Sequence, residues 1–482
     1  MDATTPGPLP ANVLEREDLR RALAEHDFAA AFALIKKWGG LSQNRIAAAC
    51  RLTPGEVSTI VAGQQQVTSF DVICRIADGL SIPGHLLGLA ARPWEQQPPH
   101  IQQQPPPQSG EKPTEDVPWR ADATVHLAVH LTRSDLVMDR RAAARALTAA
   151  AVTGAPLLDP LEGWLRPGVR PTGRARRGRL GARDVGELET TAQAFRRWDH
   201  KYGGGLRRKA VLGQLSEVAA HLEEHQDPHV EQRLYGVMAQ LAGTAATMAW
   251  DSGTQRRAQD YYRLALRAAH AGGDLLFGAN VLAGMARQML YRERPQDALE
   301  LVRLAQDGAR QVIGPRIRAM LHTREGWAYA AMGRHGAFRR ATEQARAALA
   351  DAEPGKEPYW IAYFDDAELA GVTGGRLLDL ARQNPAHAEA AAAQIRQAVK
   401  CRGPEAARSH ALDRIGLAEC SFLSGDLTEA VIHTGHAVEA ARHTQSGRVR
   451  TQLGQLYPYT VGRGVSRSVA QARDSIRDLL SS

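Results

Sequence analysis

Aromatic side chains make up only 5% of these 482 residues, and there are only 4 cysteines. With few aromatics and no window of β-branched alternation, a strand-built core is excluded, and the expected class is all-α. Cys50, Cys74, Cys401 and Cys420 lie far apart on apolar helical patterns, which fits reduced core thiols rather than disulfides or a zinc site. No apolar run approaches the roughly 18 residues of a membrane span, and Met1 to Asn12 is polar and Pro-rich, unlike a secretory leader. The expected compartment is therefore the cytoplasm, with no membrane partner. Catalytic motifs are also scarce. His221-Leu-Glu-Glu-His225 satisfies the inverted zinc-protease pattern, yet the segment runs straight into Asp227-Pro228 and no third ligand stands out. A metal-dependent hydrolase would require stoichiometric zinc. His433, His436 and His443 read as solvated helix positions. The chain is read as a non-enzyme with no metal and no cofactor.

What the chain does have is a basic balance, with 60 Lys and Arg against 52 Asp and Glu and a formal charge of +8, which favours a polyanionic partner. Its most informative stretch is Leu41 to Gly63. Gln43 to Ala49 opens a short helix with Ile46, Ala47 and Cys50 at helical spacing. Thr53 then caps a second, with Pro54 at its first position and Glu56 where a capping box needs it. Val57 and Ile60 face the first helix, Gly63 stops the second, and Phe70, Ile73, Cys74, Ala77 and Leu80 pattern a third after the loop Gln64 to Ser69. With Ala29 to Trp38 before and Pro83 to Leu89 after, five short helices are expected.

Residues 28–92 resemble the Cro/cI-like (XRE) helix-turn-helix family. Leu41, Ser42 and Gln43 open the second helix as that family does, Ala47, Val57 and Ile60 occupy its core positions, and Ile76-Ala-Asp-Gly-Leu80 with Ile82-Pro-Gly-His-Leu86 match its closing helices. The resemblance implies double-stranded DNA as partner. Base edges would be met by Thr53, Pro54, Gly55, Ser58 and Thr59, and phosphates by Gln43, Arg45 and Arg51. Arg51 replaces the glycine usual in the turn, and Pro54 and Gly55 stand where side-chain amides often read bases, so direct readout is expected to be thin. A protein-docking or dimerisation module is the alternative use of the same five-helix unit.

The linear segments are an N-terminal extension (1–27), the helix-turn-helix domain (28–92), a Pro/Gln-rich linker (93–118), a helical connector with an Arg-rich loop (119–183) and a repeat region (184–482). The linker should be extended and semi-rigid. In the repeat region Ala258, Ala298 and Phe338 recur at forty-residue steps, followed by Ala430 after an interval that can hide one more unit around Tyr359 to Ala398. The unit is a helix pair, recognisable as a degenerate tetratricopeptide repeat. Neighbouring pairs would stack into a curved TPR-like α-solenoid of the kind that binds peptides and proteins. By the count of inward positions, Gln240, Thr247, Asn280, Arg287, Thr323, Trp327, Glu419 and Phe422 line the groove. Asn280 could hold a peptide backbone, and Arg287, seven residues further along the same face, a carboxylate; alternatively Asn280 is a surface polar residue and Arg287 pairs with a neighbouring acid.

A second resemblance runs over residues 115–465. Trp119, Leu131-Thr-Arg-Ser-Asp-Leu-Val-Met-Asp-Arg-Arg141, Pro160-Leu-Glu-Gly-Trp-Leu165, Ala194-Phe-Arg-Arg-Trp-Asp-His-Lys-Tyr-Gly-Gly-Gly205 and Ala362-Tyr-Phe-Asp-Asp-Ala-Glu-Leu-Ala370 look like actinobacterial NsdA-type regulators. The resemblance implies a regulator of differentiation or secondary metabolism and supplies no ligand. Gly203 to Gly205 lacks the Gly-Lys-Ser/Thr of a nucleotide loop and reads as a helix break, with Arg207, Arg208 and Lys209 opening the next helix. The expected function is a homodimeric DNA-binding transcriptional regulator whose repeats sense a peptide or protein effector, dimerise, or both. The alternative is a protein-interaction adaptor that captures a sigma factor or another regulator.

Overall fold

The computed structural model describes residues 9, 11–89, 118–137, 145–167, 180–202, 208–353, 355–403, 406–444, 446–462 and 466–481. Among these, every regular element is an α or 3-10 helix. The chain divides into two compact units: residues 1–109, 425–442 and 450–482 form one, and residues 110–424 and 443–449 the other. This grouping follows the linear segments only in part, since two C-terminal stretches join the N-terminal residues. Most of the linker, residues 93–117, lies outside the described residues, as do residues 168–179 of the Arg-rich loop and Gly203 to Arg207.

In the first unit, α1 (Ala11–Leu14), α2 (Glu17–Ala24), α3 (Phe28–Gly39), α4 (Gln43–Cys50), α5 (Pro54–Val61), α6 (Phe70–Gly79) and a 3-10 turn (Gly84–Leu87) enclose an aliphatic core that includes Leu19, Leu23, Phe32, Ile35, Ile46, Ile60, Ile73 and Ile76. The five expected helices are present within a residue or two, except that the last is a 3-10 turn, stopped by Gly88 at φ +67°. Leu19 and Leu23 of α2 are fully buried in the same core, which therefore extends into the stretch read as an N-terminal extension. The caps follow from the sequence: the Asp27 carboxylate accepts from Ala30 N at 3.0 Å and the Ser42 hydroxyl from Arg45 N at 3.3 Å. Gly79 lets α6 cross α4 backbone to backbone, for a Cβ there would lie 2.1 Å from the Ala49 carbonyl oxygen.

The second unit begins with α7 (Ala121–Leu136), α8 (Ala182–Tyr202) and α9 (Arg208–Glu223). Helix pairs follow: α10 (Pro228–Asp251) with α11 (Gln255–Ala271), α12 (Leu275–Tyr291) with α13 (Pro295–Ala309), α14 (Pro315–Ala331) with α15 (His335–Ala350), and α16 (Asp366–Ala381) with α17 (Ala388–Cys401), before α18 (Ala407–Ser424). Ala258, Ala298 and Phe338 are each the fourth residue of the second helix of a pair, and all are buried. Ala391 holds the same place in α17, the unit hidden in the long interval. Five residues before these marks, Gly253 (φ +80°), Glu293 (φ +58°) and Gly333 (φ +69°) take the left-handed turn that closes each pair.

The connector is part of this core. Trp164 is fully buried against α12 and α13, its indole N–H donating to the Leu304 carbonyl at 3.2 Å. Room for the ring comes from two glycines: a Cβ on Gly278 would meet it at 2.1 Å and one on Gly308 at 2.0 Å. Trp119 lies over Gly163 and donates to the Pro160 carbonyl at 3.1 Å.

The C-terminal α19 (Leu427–Arg442) and α20 (Arg467–Ser481) contact each other within the first unit. Ala430 belongs to α19, so the two helices read as the last repeat are divided between the compact units. Also in the first unit, the Tyr457 ring lies 5.1 Å from that of His26, whose Nε2 is 2.9 Å from the Leu87 carbonyl oxygen.

Candidate functional sites

The first candidate surface is the edge of α4 and α5. Thr53 closes the expected capping box: its hydroxyl accepts from Glu56 N at 3.2 Å, and the Glu56 carboxylate accepts from Thr53 N at 2.6 Å. The bonds that the carboxylate accepts from the Thr53 N–H and hydroxyl hold the Glu56 carboxyl below the usual range. Arg51 sits in the left-handed region at φ +53°, the conformation for which glycine is favoured, and its carbonyl accepts from Arg75 at 3.1 Å. Arg45, Arg51, Thr53, Pro54, Gly55 and Ser58 are exposed, and Gln43 and Thr59 half-buried. The structure thus brings all eight residues to one pair of adjacent helices and the turn between them. Not all of their side chains are free: the Thr53 hydroxyl serves the cap, and that of Thr59 lies within 2.9 Å of the Glu56 carbonyl and 3.0 Å of Gln65 Oε1.

The second candidate is the inner face of the helix pairs. Asn280 is half-buried, and its side chain makes no hydrogen bond among the described residues. The remaining candidates are more committed than an open groove requires. Thr323, Trp327 and Glu419 are buried; the Thr323 hydroxyl donates to the Met320 carbonyl at 2.6 Å, and Glu419 pairs with Arg382 through contacts of 2.6 and 2.8 Å. Phe422 is buried as well. Gln240 accepts from the Tyr359 hydroxyl, and the Thr247 hydroxyl donates to the Gly243 carbonyl at 3.1 Å. A sequence count of inward positions cannot tell a side chain facing the groove from one covered by the next pair.

Arg287 forms no ion pair with a carboxylate among the described residues. Its guanidinium lies over the Trp250 ring at 5.2 Å, with a buried Nε that has no acceptor. Burial pushes its pKa down to about 10, and the neighbouring Arg448 and Arg324 add to the shift. Sequence reasoning missed the setting of this residue, a belt of arginines and aromatic rings drawn from α10, α12, α14 and α16. Trp250 meets Tyr291 at 5.3 Å, Tyr291 meets Trp327 at 5.0 Å, and Arg376 stacks on Trp327 at 3.5 Å. Asp251 anchors one end, pairing with Arg408 at 2.6 Å and with Arg448. Asp199, 4.0 Å from Arg408, has its carboxyl pushed above the usual range by burial despite that cation. No spacing rule would have found this set.

Two segments that carry the second resemblance meet in the same unit, the His200 ring lying 5.1 Å from that of Tyr363, and Arg196 donates to the carbonyl of Trp360, just before the second of them, at 3.2 Å. Arg208, expected at a helix start, pairs with Asp135. His221 sits on α9 but His225 lies beyond its end, so the two histidines do not share a continuous helical face. Among the described residues no cluster of three His, Cys, Asp or Glu could hold a metal, and no helix is long and apolar enough to cross a membrane. Compared with protein-family models, curated proteins and solved structures, the chain matches none.

Proposed function

We propose that the chain is a sequence-specific DNA-binding transcriptional regulator, with α3 to α6 acting as an XRE-type helix-turn-helix. In this reading the helix pairs form a TPR-like solenoid that senses an effector, dimerises, or both. The observation that carries it is the pairing of α4 and α5 through the left-handed Arg51, with an exposed polar edge at Arg45, Arg51, Thr53 and Ser58. A two-fold operator needs recognition helices about 34 Å apart, so an effector that changes the shape of the repeats changes whether both can dock. The second resemblance makes differentiation or secondary metabolism the regulated process.

The test is genome-wide crosslinking of bound DNA, followed by titration of the best site with the full chain at two salt concentrations. The expected result is a shared inverted motif bound well above bulk DNA with a steep salt slope. Weak binding without a motif overturns the reading in favour of an adaptor. One observation favours that second reading: Pro54 and Gly55 offer no side-chain donor, and the Thr53 and Thr59 hydroxyls are engaged within the helix. An adaptor keeps its cellular phenotype in the double variant Arg45→Ala, Thr59→Ala, and a regulator loses it.

A further inference from the structure

The inner belt of the second unit holds more cations than its carboxylates cover. Asp251 serves Arg408 and Arg448, Glu368 and Asp413 both serve Arg402, and Asp379 serves Arg376 and Arg382. Arg324 on α14 and Arg287 on α12 make no direct ion pair among the described residues, although the Glu368 carboxylate, held by Arg402, is near enough to be favoured by both cations. Arg324 is 2% exposed, and its buried Nε and Nη1 have no hydrogen-bond partner; Arg287 adds a third buried donor, its Nε. The Arg324 guanidinium is close enough to disfavour the charge on Arg287. Rings line the approach: Arg287 lies over Trp250, and Trp327 follows Arg324 by one turn of α14.

Buried charges in proteins are normally paired, because an unmatched guanidinium forfeits its hydration without return. The buried Arg324 and the half-buried Arg287, on the contacting helices α14 and α12, present forked donors suited to an oxyanion, beside apolar faces suited to an organic body. The exposed Arg45 and Arg51 show none of this desolvation. We infer that Arg324 and Arg287 together bind a small organic anion through its carboxylate or phosphate group. The commitment of Thr323, Trp327 and Glu419 to internal partners favours a small molecule over an extended peptide at this point of the face. The inference rests on the reading of the helix pairs as the effector-sensing part of the regulator, and its test uses no DNA, so the two can fail separately.

The experiment is titration calorimetry and thermal melting of the full chain with citrate and with inorganic pyrophosphate, against sodium chloride at equal ionic strength. The expected result is saturable binding of one probe molecule per chain with a rise in Tm. Citrate alone acting identifies a carboxylate site, and pyrophosphate alone a phosphate site. Arg324→Met and Arg287→Met should each weaken binding by about 10- to 100-fold, while the exposed Arg339→Gln leaves it unchanged. Because Arg324→Met removes an unpaired buried charge, its Tm without probe should equal or exceed that of the parent chain. Stabilisation no greater than that from sodium chloride overturns the proposal. So does binding that survives both variants, or a collapse of Tm in Arg324→Met with no response of the parent chain to either probe.

Discussion

On α4 and the turn that follows it, Arg45 and Arg51 are exposed over a mainly aliphatic core, whereas in the second unit Arg324, Arg408 and Arg448 are buried among aromatic rings and carboxylates. The first region keeps its cations hydrated, so they are available to a partner and contribute little to stability. In the second, these three are desolvated, and Arg408 and Arg448 depend on one specific carboxylate, Asp251. A polar contact on the first surface is therefore a question about binding, and a polar contact in the second is a question about folding as well.

The largest effect that would sharpen this contrast is expected at Asp251. Replacing it in Asp251→Ala leaves Arg408 and Arg448 without their shared carboxylate and should cost about 3–5 kcal/mol in denaturant unfolding. Arg45→Ala, its counterpart on the surface, should stay within about 0.5 kcal/mol. Equal costs would break the contrast. The sign with pH follows from the same pair: against the penalty of burial, Arg448 and Arg408 hold the Asp251 carboxyl below its ordinary value. Its stabilisation is therefore present above about pH 4 and should be lost as acid protonates the folded chain below that range, which a pH series of melting curves measures.

Next in size is Gly79→Ala. The first unit has no comparable buried ion network among its described residues, so its sensitivity should lie in backbone packing. A Cβ placed 2.1 Å from the Ala49 carbonyl should cost about 3 kcal/mol and loosen α6 from α4, visible as faster amide exchange in both helices. A neutral result would mean that the α4–α6 crossing is not tight.

The smallest effects concern two left-handed turns, one in each unit. Arg51 (φ +53°) and Glu293 (φ +58°) occupy conformations that favour glycine. Arg51→Gly and Glu293→Gly should each raise stability by up to about 1 kcal/mol, read as a small increase in Tm. For Arg51 the change should also weaken DNA binding if its guanidinium touches phosphate. Higher stability with unchanged affinity would remove Arg51 from the contact surface.

Legibility from the sequence varied in a systematic way. Thr53 and Glu56 were readable because a capping box is local, formed by residues three apart. The forty-residue register was readable because Ala258, Ala298 and Phe338 are repeated and because Gly253 and Gly333 precede two of these marks, whereas Glu293, in the equivalent left-handed turn, breaks the glycine pattern. Inward positions were the least readable: the Asn280 side chain makes no hydrogen bond among the described residues, while Glu419 is taken up by Arg382, 37 residues away in sequence. Helix α2 lies in the stretch read as an N-terminal extension, although Leu19, Ala22 and Leu23 carry the helical period that buries it.

The sequence by itself determined the helical class, the caps of α3 to α5, the turn between α4 and α5 and the period of the pairs, because each depends on backbone preference and on neighbours within a turn or two. Only the tertiary structure decided which arginines are paired. Asp251 meets Arg408 across 157 positions and Arg448 across 197, and Arg324 makes no direct ion pair among the described residues. Ion pairing over such separations is set by how the helix pairs stack. An arginine buried with no acceptor reads in the sequence just as an exposed one does.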